Sequence, residues 1–167
     1  MLLETDTMEN YLKTLAFVRI IGLLITDGTI HRNKEKKIQG NVSLGHMLDV
    51  ESFLNDLDLF CATHQTNFMA RNHYHVHIPS VFMRDIIQLP GLIIGRKVNQ
   101  AAELPRFILD EDCPRPIVRE FLGGMFGGDG HTCHLSMHRG KRDIITPPAF
   151  SQTKITKHLD SLKEMLE

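Results

Sequence analysis

The sequence predicts an α+β fold built from two copies of an αββαββα unit, of which the second copy is incomplete. The first observation is an internal repeat: residues 20–28 (Ile-Ile-Gly-Leu-Leu-Ile-Thr-Asp-Gly) and residues 122–130 (Leu-Gly-Gly-Met-Phe-Gly-Gly-Asp-Gly) are apolar runs that end in Asp-Gly. In both runs a glycine lies five residues before the aspartate. The second observation is that a hairpin pattern and then a helical pattern follow each run. Internal self-similarity of this kind indicates the architecture before any single residue is interpreted.

The second copy of the motif is rich in glycine. Gly123, Gly124, Gly127 and Gly128 lie within six consecutive positions, and each glycine inside a helix costs about 1 kcal/mol relative to alanine. Glycines that are four residues apart share one face of a helix. We therefore expect another backbone to approach this helix very closely. The first motif helix, which is apolar and has fewer glycines, is the predicted partner.

The first unit is predicted to contain three helices and two hairpins. The first helix runs from Glu9 to Asp27, and residues 28–47 form a hairpin with a charged turn at residues 33–37. A second helix follows with Asp49 as its N-cap, because apolar residues then recur at i, i+3, i+4 and i+7. These apolar residues are Val50, Phe53, Leu54 and Leu57.

The second hairpin is predicted to have strands at residues 68–71 and 74–78. Ser80 then opens a third helix, which Pro90 stops. The inward-facing residues of this helix are predicted to be Phe82, Met83, Ile86 and Ile87. Residues 91–116 join the two units and are long for a connection, so we expect part of this segment to pack on the first unit.

The second unit begins in the same order. Its motif helix is expected to start near Pro114 and Pro116 and to end before Gly130. Strands at residues 131–137 and 144–152 frame a basic turn. A helix then follows, with an apolar side made of Ile155, Leu159, Leu162 and Leu166.

The chain stops before a second hairpin and a last helix of the second unit. The sequence therefore predicts a first unit with its linker at residues 8–113 and a truncated αββα unit at residues 114–167. The apolar side of the final helix is then left exposed, which predicts self-association through the incomplete second repeat.

The two aspartates are the candidate functional residues. If the motif helices pack side by side and parallel, Asp27 and Asp129 arrive at the same end, where they repel each other and the negative ends of the helices. A divalent cation would relieve that repulsion, and carboxylates completed by water and substrate phosphates are typical of Mg²⁺ sites. A single Asp-Gly is usually a simple turn, but two copies at equivalent places in a repeat favour a metal site.

Both motifs resemble the signature of the LAGLIDADG homing endonucleases, and residues 119–130 are similar to the motif of intein-associated members of that family. The likeness covers nearly the whole chain, and the second motif is the more specific one. This sequence differs from the family pattern at Ile20, Ile21 and Ile25, which replace Leu, Ala and Asp, and at Gly123 and Gly127, which replace Ala and Asp.

The resemblance implies an enzyme of mobile genetic elements that makes double-strand breaks in a long DNA target by metal-dependent phosphodiester hydrolysis. It implies two sheets that form a saddle over duplex DNA, and Mg²⁺ bound by Asp27 and Asp129, each serving one strand. Backbone carbonyls of Thr26 and Gly128 would complete the metal shell. Lys154 would stabilise negative charge on the scissile phosphate, although it also fits an ordinary solvated helix entry.

Two other functions fit parts of the sequence. A degenerate, non-cleaving member of the same family would bind nucleic acid as a maturase or regulator, and the incomplete second repeat favours it. A zinc-dependent module would use histidine clusters, although alternating histidines equally describe a polar strand face. The histidine and cysteine residues concerned are His73, His75 and His77 in one cluster and His131, Cys133, His134 and His138 in the other.

Composition and charge place bounds on these functions. The chain has 167 residues, a formal net charge of −1 and three widely spaced cysteines, which are typical of reduced thiols in an intracellular protein. No apolar run approaches the roughly 20 residues that span a membrane, so no membrane partner is expected. Basic residues are concentrated in residues 28–46 and 131–158, directly after each Asp-Gly, and such local patches favour phosphate binding. Double-stranded DNA as the partner is what the family resemblance implies.

Overall fold

The computed structural model describes residues 5–60, 65–69, 73–97, 100, 103–131, 134–136, 144–146, 149–150, 160 and 163. These residues form an α+β fold, as predicted, with four α-helices and antiparallel strands. In chain order the elements are α1 (Met8–Thr26), β1 (Gly28–Arg32), β2 (Ile38–Leu44), α2 (Met47–Asp58), β3 (Gln65–Met69), β4 (His73–Ile78), α3 (Ser80–Ile86), α4 (Arg115–Asp129), β5 (Gly130–His131), β6 (His134–Ser136), β7 (Ile144–Thr146) and β8 (Ala149–Phe150). Within this described part, no helix is both long enough and apolar enough to cross a membrane.

Helix α1 lies in the centre of the first unit. It begins after Thr7, whose hydroxyl accepts a hydrogen bond from the backbone N–H of Asn10 at 3.1 Å, as N-cap side chains commonly do. It ends at Thr26, and Asp27 is its C-cap. The prediction of a helix from Glu9 to Asp27 is therefore confirmed to within one residue at each end. Most of its second half is buried, which is typical of a helix packed between other elements.

The first unit contains a four-stranded antiparallel sheet in the order β1-β2-β4-β3. Buried apolar positions alternate along the described side chains of β1, β2 and β4, so that one face packs on the helices and the other carries polar groups. The first hairpin is confirmed, and β2 begins directly after the predicted turn, where Ile38 pairs with Arg32. Strand β3 also starts earlier than predicted, because its pairing with β4 extends to the pair Gln65 and His77. The core face includes Ile30, Val42, Val76 and Ile78, which are all fully buried.

Helix α2 differs from the prediction at its first turn. The N-cap is His46, whose Nδ1 accepts a hydrogen bond from the backbone N–H of Leu48 at 3.2 Å. Asp49 was predicted as the cap, and that prediction is wrong. Asp49 lies inside the first turn, where its negative charge interacts favourably with the positive end of the helix dipole. The apolar stripe is confirmed, since Val50, Phe53 and Leu57 are buried.

Helix α3 begins at Ser80, as predicted, and ends earlier than Pro90. Its last helical residue is Ile86, and a turn follows in which the N–H of Leu89 donates to the carbonyl of Ile86 at 2.9 Å. The turn therefore ends the helix before the proline can act. Of the predicted inward residues, Phe82, Met83 and Ile86 are buried and Ile87 is partly buried.

Part of the segment between α3 and α4 packs on the first unit, as predicted. The N–H of Gly95 donates to the carbonyl of Ile30 at 2.8 Å, which fixes this segment beside β1. Leu92 and Leu104 are buried, as is Ile108 in a short 3-10 helix at Arg106–Ile108.

The second unit starts with α4 and a hairpin, in the predicted order. Strand β5 pairs with β8 through Gly130 with Phe150 and His131 with Ala149, and β6 pairs with β7 from His134 with Thr146 to Ser136 with Ile144. Both pairs are antiparallel and have the same register, which is what the predicted hairpin requires. Beyond it, Asp160 and Lys163 are helical and exposed. The predicted apolar side of that helix lies outside the described residues. The unit boundary at residues 113 and 114 and the predicted self-association therefore stay predictions.

Candidate metal and nucleic-acid site

Helices α1 and α4 touch through their backbones. A Cβ placed on Gly22 of α1 would lie 2.9 Å from the backbone nitrogen of Met125 on α4. A Cβ placed on Gly124 of α4 would overlap the carbonyl oxygen of Arg19 on α1. Real Cβ atoms do not make such contacts with backbone, so only glycine permits this approach at both positions. The close approach predicted from the motif is confirmed.

The C-terminal ends of the two helices are also in contact. A Cβ on Gly128 would overlap the hydroxyl oxygen of Thr26 and would lie 3.3 Å from the carboxyl carbon of Asp27. The contacts therefore advance towards the C-terminus on both helices, so the helices are parallel. Asp129 follows Gly128 directly and is the last residue of α4. The backbones of both Asp-Gly motifs thus arrive at the same end of the helix pair.

Gly123 and Gly127 do not share this role. Within the described part of the chain, a Cβ on Gly123 would meet no atom within 4 Å, and a Cβ on Gly127 would meet only a methyl of Leu23 at 3.8 Å. The prediction that all four glycines permit close backbone approach is therefore wrong for this pair. Consecutive helical residues point about 100° apart, so the two glycine pairs lie on different faces. Gly123 and Gly127 instead border a groove of about 150 Å³ between α1, α2 and α4.

Asp27 is half-buried at the C-cap of α1, where its backbone N–H donates to the carbonyl of Leu23. The side chain of Asp129 and all of Lys154 lie outside the described residues. The separation of the two carboxylates and the role of Lys154 therefore stay predictions.

Lys97 is a site residue that the sequence did not reveal. Its Nζ donates to three consecutive carbonyl oxygens at the end of α1: Leu24 at 2.8 Å, Ile25 at 2.9 Å and Thr26 at 2.7 Å. These carbonyls carry the partial negative charge of the helix C-terminus, which a cation stabilises. Lys97 lies 71 residues from Thr26 in sequence, so no local pattern connects the two.

The oxygen atoms at this end of the helix pair match the chemistry of a hard cation. The Asp27 carboxylate and the Thr26 carbonyl are oxygen ligands of the kind that Mg²⁺ prefers, and Gly128 of α4 packs directly against Thr26 and Asp27. Among the described residues, no group of three or more His, Cys, Asp and Glu side chains could hold a metal ion. A metal here would therefore need carbonyl oxygens, water or residues outside that part. The Thr26 oxygen already accepts a hydrogen bond from Lys97.

The open face of the sheet begins directly after Asp27. By strand alternation, its described positions on β1, β2 and β4 carry hydroxyl, amide and imidazole groups and no carboxylate. These residues are Thr29, His31, Gln39, Asn41, Ser43, His75 and His77. A face with these donors and acceptors can form hydrogen bonds with the edges of bases and with phosphates.

One hydrogen bond on this face has a defined direction. His77 Nδ1 and Asn41 Oδ1 are 2.8 Å apart, and since an amide oxygen only accepts, Nδ1 donates and Nε2 of the neutral ring is an acceptor. Burial, and then the nearby His31, lower the pKa of His77 below its ordinary value, so the neutral ring is favoured. Three histidines were predicted to share one face of β4. His75 and His77 lie two residues apart on β4 and therefore share one face of the strand, as predicted. The side chain of His73 lies outside the described residues.

Arg19 links the helices that frame the groove. Its guanidinium donates to both carboxylate oxygens of Asp56 on α2, at 2.8 and 2.6 Å, and to Glu120 on α4 at 2.5 Å. The carboxylate of Asp56, followed by that of Glu120, raises the pKa of Arg19. A bidentate pair of this kind fixes geometry as well as charge. Arg19 therefore holds α4 at a set position against the first unit.

Comparison with known proteins shows a distant similarity to part of a longer protein. No protein-family model matches the chain. The chain is similar to the replication factor C small subunit of Methanocaldococcus jannaschii, with 22% identity over 166 residues. The similarity covers 90% of this chain but 9% of that protein, so this chain spans only a small part of the relative's length. At this identity the match shows neither a family nor an activity.

Proposed function

We propose that this chain is a LAGLIDADG-type homing endonuclease domain that makes double-strand breaks in a long DNA target by metal-dependent hydrolysis. The observation that carries the proposal is the parallel pair of motif helices in backbone contact, with both Asp-Gly ends on the same side. Gly22, Gly124 and Gly128 all lie where a Cβ would meet the other helix. A turn-forming Asp-Gly needs no such partner, whereas a paired carboxylate site does.

The open sheet face supports DNA as the substrate. A two-stranded ribbon of β1 and β2 fits the major groove, where amide side chains such as Asn41 and Gln39 can pair with adenine edges. The hydrogen bond between Asn41 and His77 presents an amide donor beside an imidazole acceptor, which matches the adjacent acceptor and donor of a base edge. The exposed Lys34 and Lys36, in the turn of this hairpin, are suited to phosphate contacts.

The cleavage chemistry is assigned to the end of the helix pair. Asp27 and Asp129 would hold Mg²⁺ together with the carbonyls of Thr26 and Gly128, and Lys154 remains the proposed group at the scissile phosphate. Such a metal supplies an activated water and stabilises the leaving oxygen in phosphodiester hydrolysis. Lys97 offsets the negative end of α1 through its contact with the Thr26 carbonyl.

The comparison supports one further part of the proposal, namely that this domain is carried within longer proteins. The similarity extends along 90% of this chain but covers 9% of the replication factor C protein. An endonuclease domain inserted in a host protein, as in intein-associated members of the family, would give a match of this kind.

The alternative is a non-cleaving protein of the same fold that only binds nucleic acid. The observation in its favour is Lys97, which already places a positive charge on the Thr26 carbonyl. A single experiment separates the two functions. Purified protein is incubated with a DNA library that contains the insertion site, in Mg²⁺, in Ca²⁺ and with a chelator. Double-strand breaks in Mg²⁺ alone support the endonuclease, whereas retention of DNA without cutting in any condition supports the binding protein.

A further inference from the structure

We infer that Lys97 is a tethered cation at the carbonyl end of α1 and that it leaves this end when a divalent cation binds at Asp27. This inference rests on the proposed metal site and adds an exchange between two cations to it. It makes Lys97 a positioning residue that sets the affinity and the timing of metal binding.

The first argument is the number of hydrogen bonds made by one ammonium group. Nζ of Lys97 donates at 2.7–2.9 Å to the carbonyls of Leu24, Ile25 and Thr26. A lysine ammonium group has three N–H donors, and all three of these carbonyl oxygens lie within hydrogen-bonding distance of it. The oxygen atoms are arranged around one positive charge, as they would be around a bound ion.

A divalent cation bound to the Thr26 carbonyl would lie close to the ammonium group of Lys97. Thr26 oxygen lies 2.7 Å from Lys97 Nζ, and Mg²⁺ binds oxygen at about 2.1 Å. An ion on that oxygen would therefore lie within about 5 Å of the ammonium group, by the sum of these two distances. A double and a single positive charge at that separation repel each other strongly enough to weaken metal binding on the order of tenfold even in a water-like dielectric.

The ammonium group of Lys97 can move away from α1 while the backbone around it stays in place. The backbone around Lys97 is held independently, because its carbonyl accepts from the N–H of Gln100 at 3.0 Å and the N–H of Gly95 donates to Ile30 at 2.8 Å. The side chain is a flexible four-carbon stem. Withdrawal of the ammonium therefore requires rotation of a side chain only.

The test is the metal affinity of Lys97→Met, measured by calorimetric titration with Mn²⁺ in the absence of DNA, so that no cleavage contributes. The expected result is binding at least roughly tenfold tighter than in the wild type. Lys13→Met is the matched control, because Lys13 lies near the other end of α1 and pairs with Glu9; its metal affinity should equal that of the wild type. Asp27→Asn should lower the affinity in both backgrounds.

The outcomes separate this inference from the proposed function. Equal or weaker Mn²⁺ binding by Lys97→Met overturns the inference, while the metal site itself survives if the wild type binds Mn²⁺. Absence of Mn²⁺ binding in the wild type, in Lys97→Met and in Lys13→Met also overturns the inference, while the proposed function is decided separately by cleavage of DNA in Mg²⁺.

A second measurement avoids the variant altogether, in case it fails to fold. Amine labelling of the wild-type protein, read by peptide mass spectrometry, should show Lys97 reacting faster with Mn²⁺ than without it, while Lys13 is unchanged. The same labelling of Asp27→Asn should show no effect of Mn²⁺ on Lys97. Labelling of wild-type Lys97 that does not respond to Mn²⁺ overturns the inference.

Discussion

Replacing Gly124 with alanine adds one methyl group at the point where α4 touches α1. The new Cβ would overlap the carbonyl oxygen of Arg19 and would lie 3.1 Å from its carbonyl carbon and 3.2 Å from its Cα. All three atoms belong to the backbone of a buried helix, so none can rotate away. The helices must therefore separate locally for the methyl group to fit.

The size of the effect follows from two opposing terms. Alanine gains about 1 kcal/mol over glycine as a helix former. Overpacking a close interface costs about 1–3 kcal/mol, and because the neighbour is backbone we expect the upper part of that range. The net loss in the free energy of unfolding should be about 1–2 kcal/mol for Gly124→Ala, and larger for Gly124→Leu.

Gly123→Ala provides the matched control, since it lies one residue away in the same helix. Its Cβ would meet nothing within 4 Å in the described part of the chain, so it should gain up to about 1 kcal/mol in stability from helix propensity. Both variants are compared by urea denaturation with a common slope. If Gly124→Ala were as stable as Gly123→Ala, α4 would not touch α1 through this face, and the assigned interface would be refuted.

Two further predictions concern charged groups. Arg19→Met should lower the free energy of unfolding by about 1–3 kcal/mol, because Asp56 and Glu120 would lose the guanidinium that both contact. An unchanged midpoint in urea denaturation would show that these ion pairs do not stabilise the fold. The pKa of His77 is lowered in the folded protein from about 6.5, so the unfolded chain binds more protons than the folded protein as the pH falls through that value. Stability contributed by the neutral ring should be present above pH 6.5 and be lost as the pH falls below it. His77→Gln should flatten this part of the stability profile between pH 7.5 and 5.5, as measured by denaturation at each pH, and an equally steep profile would contradict the assignment.

Periodicity was sufficient to predict most of the elements. Helix α2 has the apolar spacing that a single helical face requires, and the strands of the first hairpin alternate as a half-buried sheet does. Helices α1 and α4 were predicted from the repeated motif instead. The element ends were less predictable. His46 rather than Asp49 caps α2, because either side chain can accept a backbone N–H and only the local backbone decides which one does.

The repeat also predicted the close contact between the motif helices, but not the face involved. Two glycine pairs, at residues 123 and 127 and at residues 124 and 128, have identical spacing, so the sequence could not distinguish interface from groove. The structure does so through the atoms that each Cβ would meet.

Long-range polar contacts were missed for a different reason. Lys97 and Arg19 each bind groups that are far away in the sequence, at separations of 71 to 101 residues for Thr26, Leu24 and Glu120. The periodicity of apolar residues carries no information about such long-range pairs, and a single sequence contains no other signal that would predict them. The candidate aspartates could be found because both copies of the motif contain them.

The most direct test of the proposed endonuclease is cleavage of a plasmid that carries the target site by Asp27→Asn in Mg²⁺. The substitution keeps size and hydrogen bonding but removes one charge from the proposed metal site, so double-strand cutting should be abolished, as it should for Asp129→Asn, while DNA binding is retained. Asp85→Asn is the matched control, since Asp85 is an exposed residue of α3 that pairs with Arg84, and it should cut like the wild type. If Asp27→Asn linearises the plasmid at the wild-type rate, the aspartate does not hold the catalytic metal and the assigned site is wrong.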